Sequence, residues 1–212
     1  MTKHPIRGKV PAMSTAEDRS RITPQEYYRL EAVAAEKSDW FDGEMFNMAG
    51  GTTNHSRIKG NLFFAVRKRL AGGPCEPLDS DQRLVIQETG LRTYPDLSVY
   101  CGPIEYDEED ATGQTAINPT ALFEVLSDST EAYDRGLKAD SFRRIPGLRA
   151  YALLSQHTPH IELYERQEDG SWRYTEERGI ESEIAISCLG VTLPLREVYE
   201  RVDFRSPVNP GS

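Results

Sequence analysis

Apolar residues recur along this chain with two different periods, and each change of period marks a boundary between elements. Tyr27, Leu30 and Val33 or Ala34 stand at helical spacing and predict a first helix running to about Lys37. It opens at Thr23-Pro24-Gln25-Glu26, a capping box with proline in the first helical position. Ile58, Leu62, Ala65 or Val66 and Arg69 predict a second helix from about Thr53 to Leu70, ended by Gly72-Gly73. Between the two, Trp40-Phe41 and Glu44 to Met48 flank Asp42-Gly43, the pattern of a β-hairpin with a tight turn. Short apolar runs predict strands at Arg83 to Gln87, Arg92 to Cys101 and Thr120 to Leu126, with a Thr89-Gly90 turn between the first two. Thr130 opens a third helix reaching Ile145, where Pro146-Gly147 stops it. Arg149 to Ser155 and His160 to Arg166 read as a further hairpin. A meander (Trp172 to Glu176, Glu183 to Ser187, Val191 to Leu193) and a short helix near Leu195 to Val202 close the chain.

This order describes an α/β fold: a mixed β-sheet flanked by helices, with an N-terminal helix and hairpin and a C-terminal meander. Strands joined by short turns pair antiparallel. The helix before Arg149 is long enough for a right-handed crossover to a parallel neighbour. Residues 1–22 and 205–212 lack periodicity and are expected as disordered tails, leaving one domain over 23–204. Residues 102–118 hold Glu105, Asp107, Glu108, Glu109 and Asp110, and are expected as a mobile surface loop or an insertion near a site.

Two of the predicted strands carry a carboxylate where the pattern is apolar. Asp96 follows Pro95 and opens Leu97-Ser98-Val99-Tyr100-Cys101; Glu124 lies inside Ala121-Leu122-Phe123-Glu124-Val125-Leu126. A buried carboxylate is unfavourable unless cations or donors meet it. Were these strands antiparallel neighbours, the two acids would sit side by side and repel unless a cation lay between them. Magnesium, a hard ion that takes oxygen ligands, would resolve that conflict. Lys138, in Tyr133-Asp134-Arg135-Gly136-Leu137-Lys138, adds a charge donor downstream. Each residue also has a plainer reading. Asp96 could be a turn or edge residue, Glu124 a structural partner of Arg143 or Arg92, Lys138 a solvated helix residue, and His55 a helix cap. Glu44 could be a hairpin surface residue or a further acid near the metal.

Charge narrows the functional classes. The net charge of −9 argues against broad, non-specific affinity for nucleic acid. Its distribution is uneven: nine acids and no Lys or Arg lie between Cys101 and Asp134, then five basic residues and one acid from Arg135 to Arg149. Segment 50–100 is slightly basic, so positive charge gathers around the proposed site. Solvated helix faces explain this as well as phosphate binding does. The three cysteines, Cys75, Cys101 and Cys188, have no metal-ligand spacing, so neither a zinc site nor a disulfide framework is expected, and a reducing cytoplasm is the natural compartment. No signal peptide or membrane span is expected.

Taken together, several spaced motifs resemble the restriction-endonuclease-like PD-(D/E)XK superfamily and, more narrowly, the bacterial family of Uma-type endonucleases. They are Phe41-Asp42-Gly43-Glu44 with Met48 and His55, Tyr94-Pro95-Asp96, Phe123-Glu124-Val125-Leu126-Ser127 and Ser129-Thr130. Tyr133-Asp134-Arg135, Lys138 and Ile145-Pro146-Gly147-Leu148-Arg149-Ala150-Tyr151 complete the set. The resemblance covers roughly residues 23–200 and implies a restriction-endonuclease-like core. In the wider superfamily a lysine stands two residues after the strand acid; here that position is Leu126. The narrower family implies that a lysine on the next helix takes over, which maps to Lys138.

The resemblance implies a magnesium-dependent DNA endonuclease, with manganese as a substitute ion. Asp96, Glu124 and the Val125 carbonyl would be the metal ligands, Lys138 would stabilise the attacking or pentacoordinate oxygens, and His55 would orient water or the ligand carboxylates. A homodimer would let two sites meet two strands. A nuclease acting on branched or single-stranded ends would use the same residues. The alternative from another class is a non-catalytic nucleic-acid-binding or assembly module on a nuclease-like scaffold, motivated by the displaced lysine and the acidic balance.

Overall fold

The computed structural model describes residues 21–48 and 50–204. The tails expected at 1–22 and 205–212 therefore lie outside the described residues, except for Arg21 and Ile22. Ile22 is tied to the hairpin turn, its N–H donating to the Gly43 carbonyl at 3.0 Å.

Helix α1 (Pro24–Glu31) starts at Thr23, whose hydroxyl accepts from the Glu26 N–H at 3.2 Å as the capping box requires. It ends well short of Lys37, and its buried face is Tyr27, Tyr28 and Glu31, with Val33 81% exposed. The correction has a polar cause. Glu31 is drawn inward by Tyr94, whose hydroxyl donates to it at 2.9 Å, and by the Ser38 N–H at 3.1 Å. Strands β1 (Ser38–Phe41) and β2 (Glu44–Asn47) form the expected hairpin. Asp42 and Gly43 both take positive φ (47° and 87°), and a Cβ on Gly43 would lie 2.6 Å from Cβ of Arg21.

Helix α2 (Thr53–Leu70) has the expected bounds and buries Ile58, Leu62, Ala65, Val66 and Leu70. Then follow β3 (Cys75–Asp79), β4 (Arg83–Val85), β5 (Arg92–Thr93), β6 (Leu97–Cys101), β7 (Thr115–Ala116) and β8 (Ala121–Leu126). The single strand expected over Arg92 to Cys101 is two. Pro95, which has no N–H to give a ladder, separates β5 in one sheet from β6 in another. Helix α3 (Glu131–Tyr133) continues through a π-helical turn (Asp134–Lys138) into α4 (Ala139–Phe142). Strands β9 (Ala150–Ser155), β10 (His160–Arg166), β11 (Trp172–Arg178), β12 (Glu183–Ile186) and β13 (Val191–Pro194) lead to α5 (Leu195–Val198).

The central sheet has the order β11-β10-β9-β8-β6-β3, with β8 parallel to β9 and the other pairs antiparallel. A second sheet, β2-β1-β5-β4-β7, carries the N-terminal hairpin, and β12-β13 form a two-stranded third. Alternation along β8 divides the core. Phe123 and Val125 pack with Ile58, Leu62 and Val66 of α2 and with the apolar side chains of β12 and β13. Leu122 and Leu126 pack with Ala139 and Phe142 of α4 and with Leu84 of β4. Glu124 stands between Leu122 and Leu126 in the strand, on the side that α3 and α4 cover.

Two further expectations are overturned. Strand β3 has no counterpart among the predicted elements, and its register sets Cys75 opposite Cys101 with Cα atoms 3.9 Å apart, joined as a disulfide. Chain spacing could not reveal a pair made by strand register, and the bridge removes the cysteine argument for a reducing compartment. The acidic stretch 102–118 is not wholly loop: it carries β7, and three of its acids are anchored. Asp110 accepts from Arg83 at 2.8 Å, Asp107 accepts from the Tyr28 hydroxyl at 2.6 Å, and Glu109 accepts from Arg92 at 2.8 Å. The basic residues Arg83 and Arg92 are thus engaged by acids of this segment and are not available to phosphate. Among the described residues no helix is long and apolar enough to cross a membrane.

Candidate active site

The β6–β8 pairing sets Leu97 opposite Phe123, which brings Asp96 beside Glu124. The Asp96 N–H donates to Glu124 Oε2 at 3.3 Å, and Asp96 Oδ2 accepts from the Val125 N–H at 2.8 Å. The two carboxylates are therefore antiparallel neighbours, and both are buried.

His55 reaches Asp96 from the first turn of α2, its Nε2 lying 3.2 Å from Asp96 Oδ2. Two local features place it. The Thr52 hydroxyl caps the helix by accepting from the His55 N–H at 3.1 Å. Gly51 leaves room for the ring, since a Cβ there would lie 2.7 Å from His55 Nδ1. Sequence reading missed both, although a threonine before the first apolar-periodic residue is a recognisable cap signal.

Lys138 arrives from the π-helical turn. Its Nζ lies 3.0 Å from Glu124 Oε1 and 3.4 Å from Asp134 Oδ1. This settles Glu124's partner: neither Arg143 nor Arg92 but Lys138, which is only 4% exposed and so is not a solvated helix residue. The turn places Asp134 and Lys138 on one face, toward the sheet. The Tyr133 ring lies near the ammonium, its centre 5.5 Å away, and its hydroxyl donates to Asp39 Oδ2 at 3.2 Å. The Tyr151 hydroxyl donates to the Asp134 carbonyl at 3.1 Å. Arg135 fixes its helix to the sheet, with both guanidinium ends on Glu162 at 2.6 and 2.7 Å.

Electrostatics follow from four carboxylates (Asp39, Asp96, Glu124, Asp134) gathered round one ammonium. Burial works against the charge of Asp96, yet hydrogen bonds from His55 and the Val125 amide hold its carboxyl below the usual range. Burial raises Glu124 well above it; Lys138 opposes this, while Asp134 and Asp96 add to it. Asp39 and Asp134 are likewise raised, chiefly by burial. Burial disfavours the Lys138 ammonium, but Glu124, Asp39 and Asp134 outweigh that and keep it charged.

Asp96, Glu124, Lys138 and His55 thus converge, and Val125 contributes its N–H. Glu44 does not join them: it is exposed on β2, opposite Phe41. Asp39 and Asp134 were not anticipated as site residues, because their approach depends on how β1 and the third helix dock on the sheet. Among the described residues no group of three or more His, Cys, Asp or Glu side chains is arranged to hold a metal ion. The oxygen donors available to one are the paired carboxylates of Asp96 and Glu124. Magnesium commonly uses one or two carboxylates and keeps water or phosphate oxygens elsewhere, so this donor set fits it.

Comparison with known proteins extends the picture. The crystal structure of a putative nuclease from Anabaena variabilis aligns with a TM-score of 0.62 at 14% identity, over 78% of this chain and 91% of that one, and shares the restriction-endonuclease-like fold. Two uncharacterized proteins of Synechocystis sp. are 34% identical over 184 residues (87% of this chain, 94% of the relative) and 32% identical over 170 residues (80% and 95%). The family model named Uma2 and described as "Putative restriction endonuclease" matches residues 24–196, so the chain belongs to that family.

Proposed function

We propose that this protein is a metal-dependent nuclease that hydrolyses phosphodiester bonds in DNA, with magnesium, or manganese in its place, held by Asp96, Glu124 and the Val125 carbonyl. One observation carries the reading. A lysine from a separate helix stands 3.0 Å from the strand carboxylate Glu124, in a chain whose strand position two residues on is Leu126. The surplus of carboxylates over cations supports a divalent ion at the same place.

Such an ion, when bound, supplies Lewis-acid polarisation of a phosphoryl oxygen and acidifies a coordinated water. The chain supplies the rest. The Val125 amide and His55 hold Asp96 ionised and oriented. Glu124 is fixed by the Asp96 amide on one oxygen and by Lys138 on the other. The Lys138 ammonium, kept charged by its neighbours, is placed to stabilise negative charge developing on oxygens at the phosphorus. A homodimer would present two such sites to two strands.

Supercoiled plasmid with magnesium or manganese tests this, using the parent, Asp96→Asn and Lys138→Met. Cleavage should fall by roughly 10²-fold or more in either variant, the scale of losing one preorganised charge group. Cleavage indifferent to both substitutions would refute the assignment. No turnover by the parent on any nucleic acid would favour the non-catalytic binding module.

A further inference from the structure

A cleft of about 360 Å³ is lined by residues that neighbour those of the carboxylate cluster along the chain. Its walls come from residues flanking those of the site. Thr52 and Arg57 flank His55 on α2, Asp128 follows β8, and Gln156 follows β9, which pairs with β8. The volume is near the lower end for small-molecule clefts, roughly 300–1,000 Å³, and admits one nucleotide but no duplex.

The chemistry of the walls is that of a nucleotide. Arg57 is exposed and makes no ion pair or hydrogen bond among the described residues, which leaves its guanidinium for a phosphate. Gln156 is buried, and its Oε1 accepts from the Thr52 hydroxyl at 2.6 Å. That bond fixes the amide, whose NH₂ end has no partner among the described residues. Phe204 adds an aromatic wall. It is held there by two bonds between Asn54 and the main chain of Asp203, at 2.7 and 3.2 Å, and by packing on Tyr199 with ring centres 5.7 Å apart. Two acids also line the cleft: Asp128, paired with His157 at 2.7 Å, and Asp203.

We propose that this cleft is a subsite for one unpaired nucleotide next to the scissile bond, with Arg57 on its phosphate, Phe204 stacked on its base and the Gln156 amide on a base or sugar edge. The substrate class that follows is nucleic acid with single-stranded character: an end, a branch or an extruded nucleotide. The inference rests on the nuclease reading, and adds to it which form of the nucleic acid is engaged.

Binding measured without turnover separates the two. Fluorescence anisotropy in EDTA compares a short labelled single strand with a blunt duplex of the same sequence, for the parent, Arg57→Gln and Phe204→Ala. The parent should bind the single strand more tightly than the duplex. Arg57→Gln should weaken single-strand binding about tenfold and reduce the slope of log K against log salt by about 0.7, as for one lost phosphate contact. Phe204→Ala should weaken it with the slope unchanged. Tighter binding of the duplex, or an Arg57→Gln protein with parental melting point and parental affinity, would overturn the subsite. Because Arg57 lies outside the carboxylate cluster, that outcome leaves the plasmid result for Asp96→Asn standing. Failure of the plasmid test leaves the single-strand preference to be read on its own.

Discussion

Replacing Lys138 with methionine would remove the one ammonium from a buried group of four carboxylates. The side chain is 6% exposed and lies within 3.4 Å of both Glu124 and Asp134, so water cannot replace it cheaply. Removing one partner of a buried pair destabilises by about 3–5 kcal/mol. For a protein of this size each kcal/mol moves the melting point by about 2–4 °C, so Lys138→Met should melt roughly 6–20 °C below the parent. Glu124→Gln is the informative contrast. It removes one surplus negative charge at nearly constant volume, and Lys138 keeps Asp134 and the nearby charge of Asp39. Glu124→Gln should therefore be as stable as the parent, or more stable, in EDTA. The parent should gain about 2.7 kcal/mol from magnesium at a hundredfold excess over its dissociation constant, and Glu124→Gln little. Thermal melts at pH 7 of all three proteins, with EDTA and with magnesium, measure every term. If Glu124→Gln fell as far as Lys138→Met in EDTA, Glu124 would be a structural ion-pair partner and its role as a metal ligand would be wrong.

Two further outcomes follow from the periphery of the site. Burial would raise Asp110, but the hydroxyls of Thr115 and Thr112 and the Arg83 guanidinium hold its carboxyl well below the usual range. Its contribution is thus present above the ordinary aspartate pKa of about 4 and is lost as pH falls below it; Asp110→Asn should cost about 3–5 kcal/mol near neutrality and flatten that acid loss in urea melts. Breaking the Cys75–Cys101 bridge, which spans 26 residues, should cost about 3 kcal/mol. Alkylation of the unfolded protein should modify Cys188 alone before reduction and all three cysteines after, and three modified thiols at the outset would disprove the bridge.

Local chemistry was legible along the chain wherever one element decided the outcome. The hydrophobic period of α2 and the glycines after it gave its limits, Asp42-Gly43 gave the hairpin turn, and Thr23 gave the cap of α1, because caps and turns are satisfied within a few residues. The carboxylate pair was also legible, since a charge inside an apolar strand stands out against its neighbours. Strand β3 was not, because Cys75-Glu76-Pro77-Leu78-Asp79 has one buried residue and no clear alternation. Nor was the break at Pro95, because residues on both sides are strand-like and only the pairing partners assign them to different sheets.

The sequence by itself therefore determined the α/β class, the two strand carboxylates and the supply of a downstream lysine. Tertiary structure alone decided which charges meet. Lys138 resembles the other basic residues of its segment until the π-helical turn sets it over Glu124, and Arg83 and Arg92 look like phosphate ligands until the acidic segment folds against them. Asp39 enters the site only through the docking of β1 against the third helix, where the Tyr133 hydroxyl donates to it. The physical reason is range. A periodicity or a cap is settled between residues a turn apart, whereas the partner of a buried charge is chosen by strand register and helix docking across 14 to 94 positions.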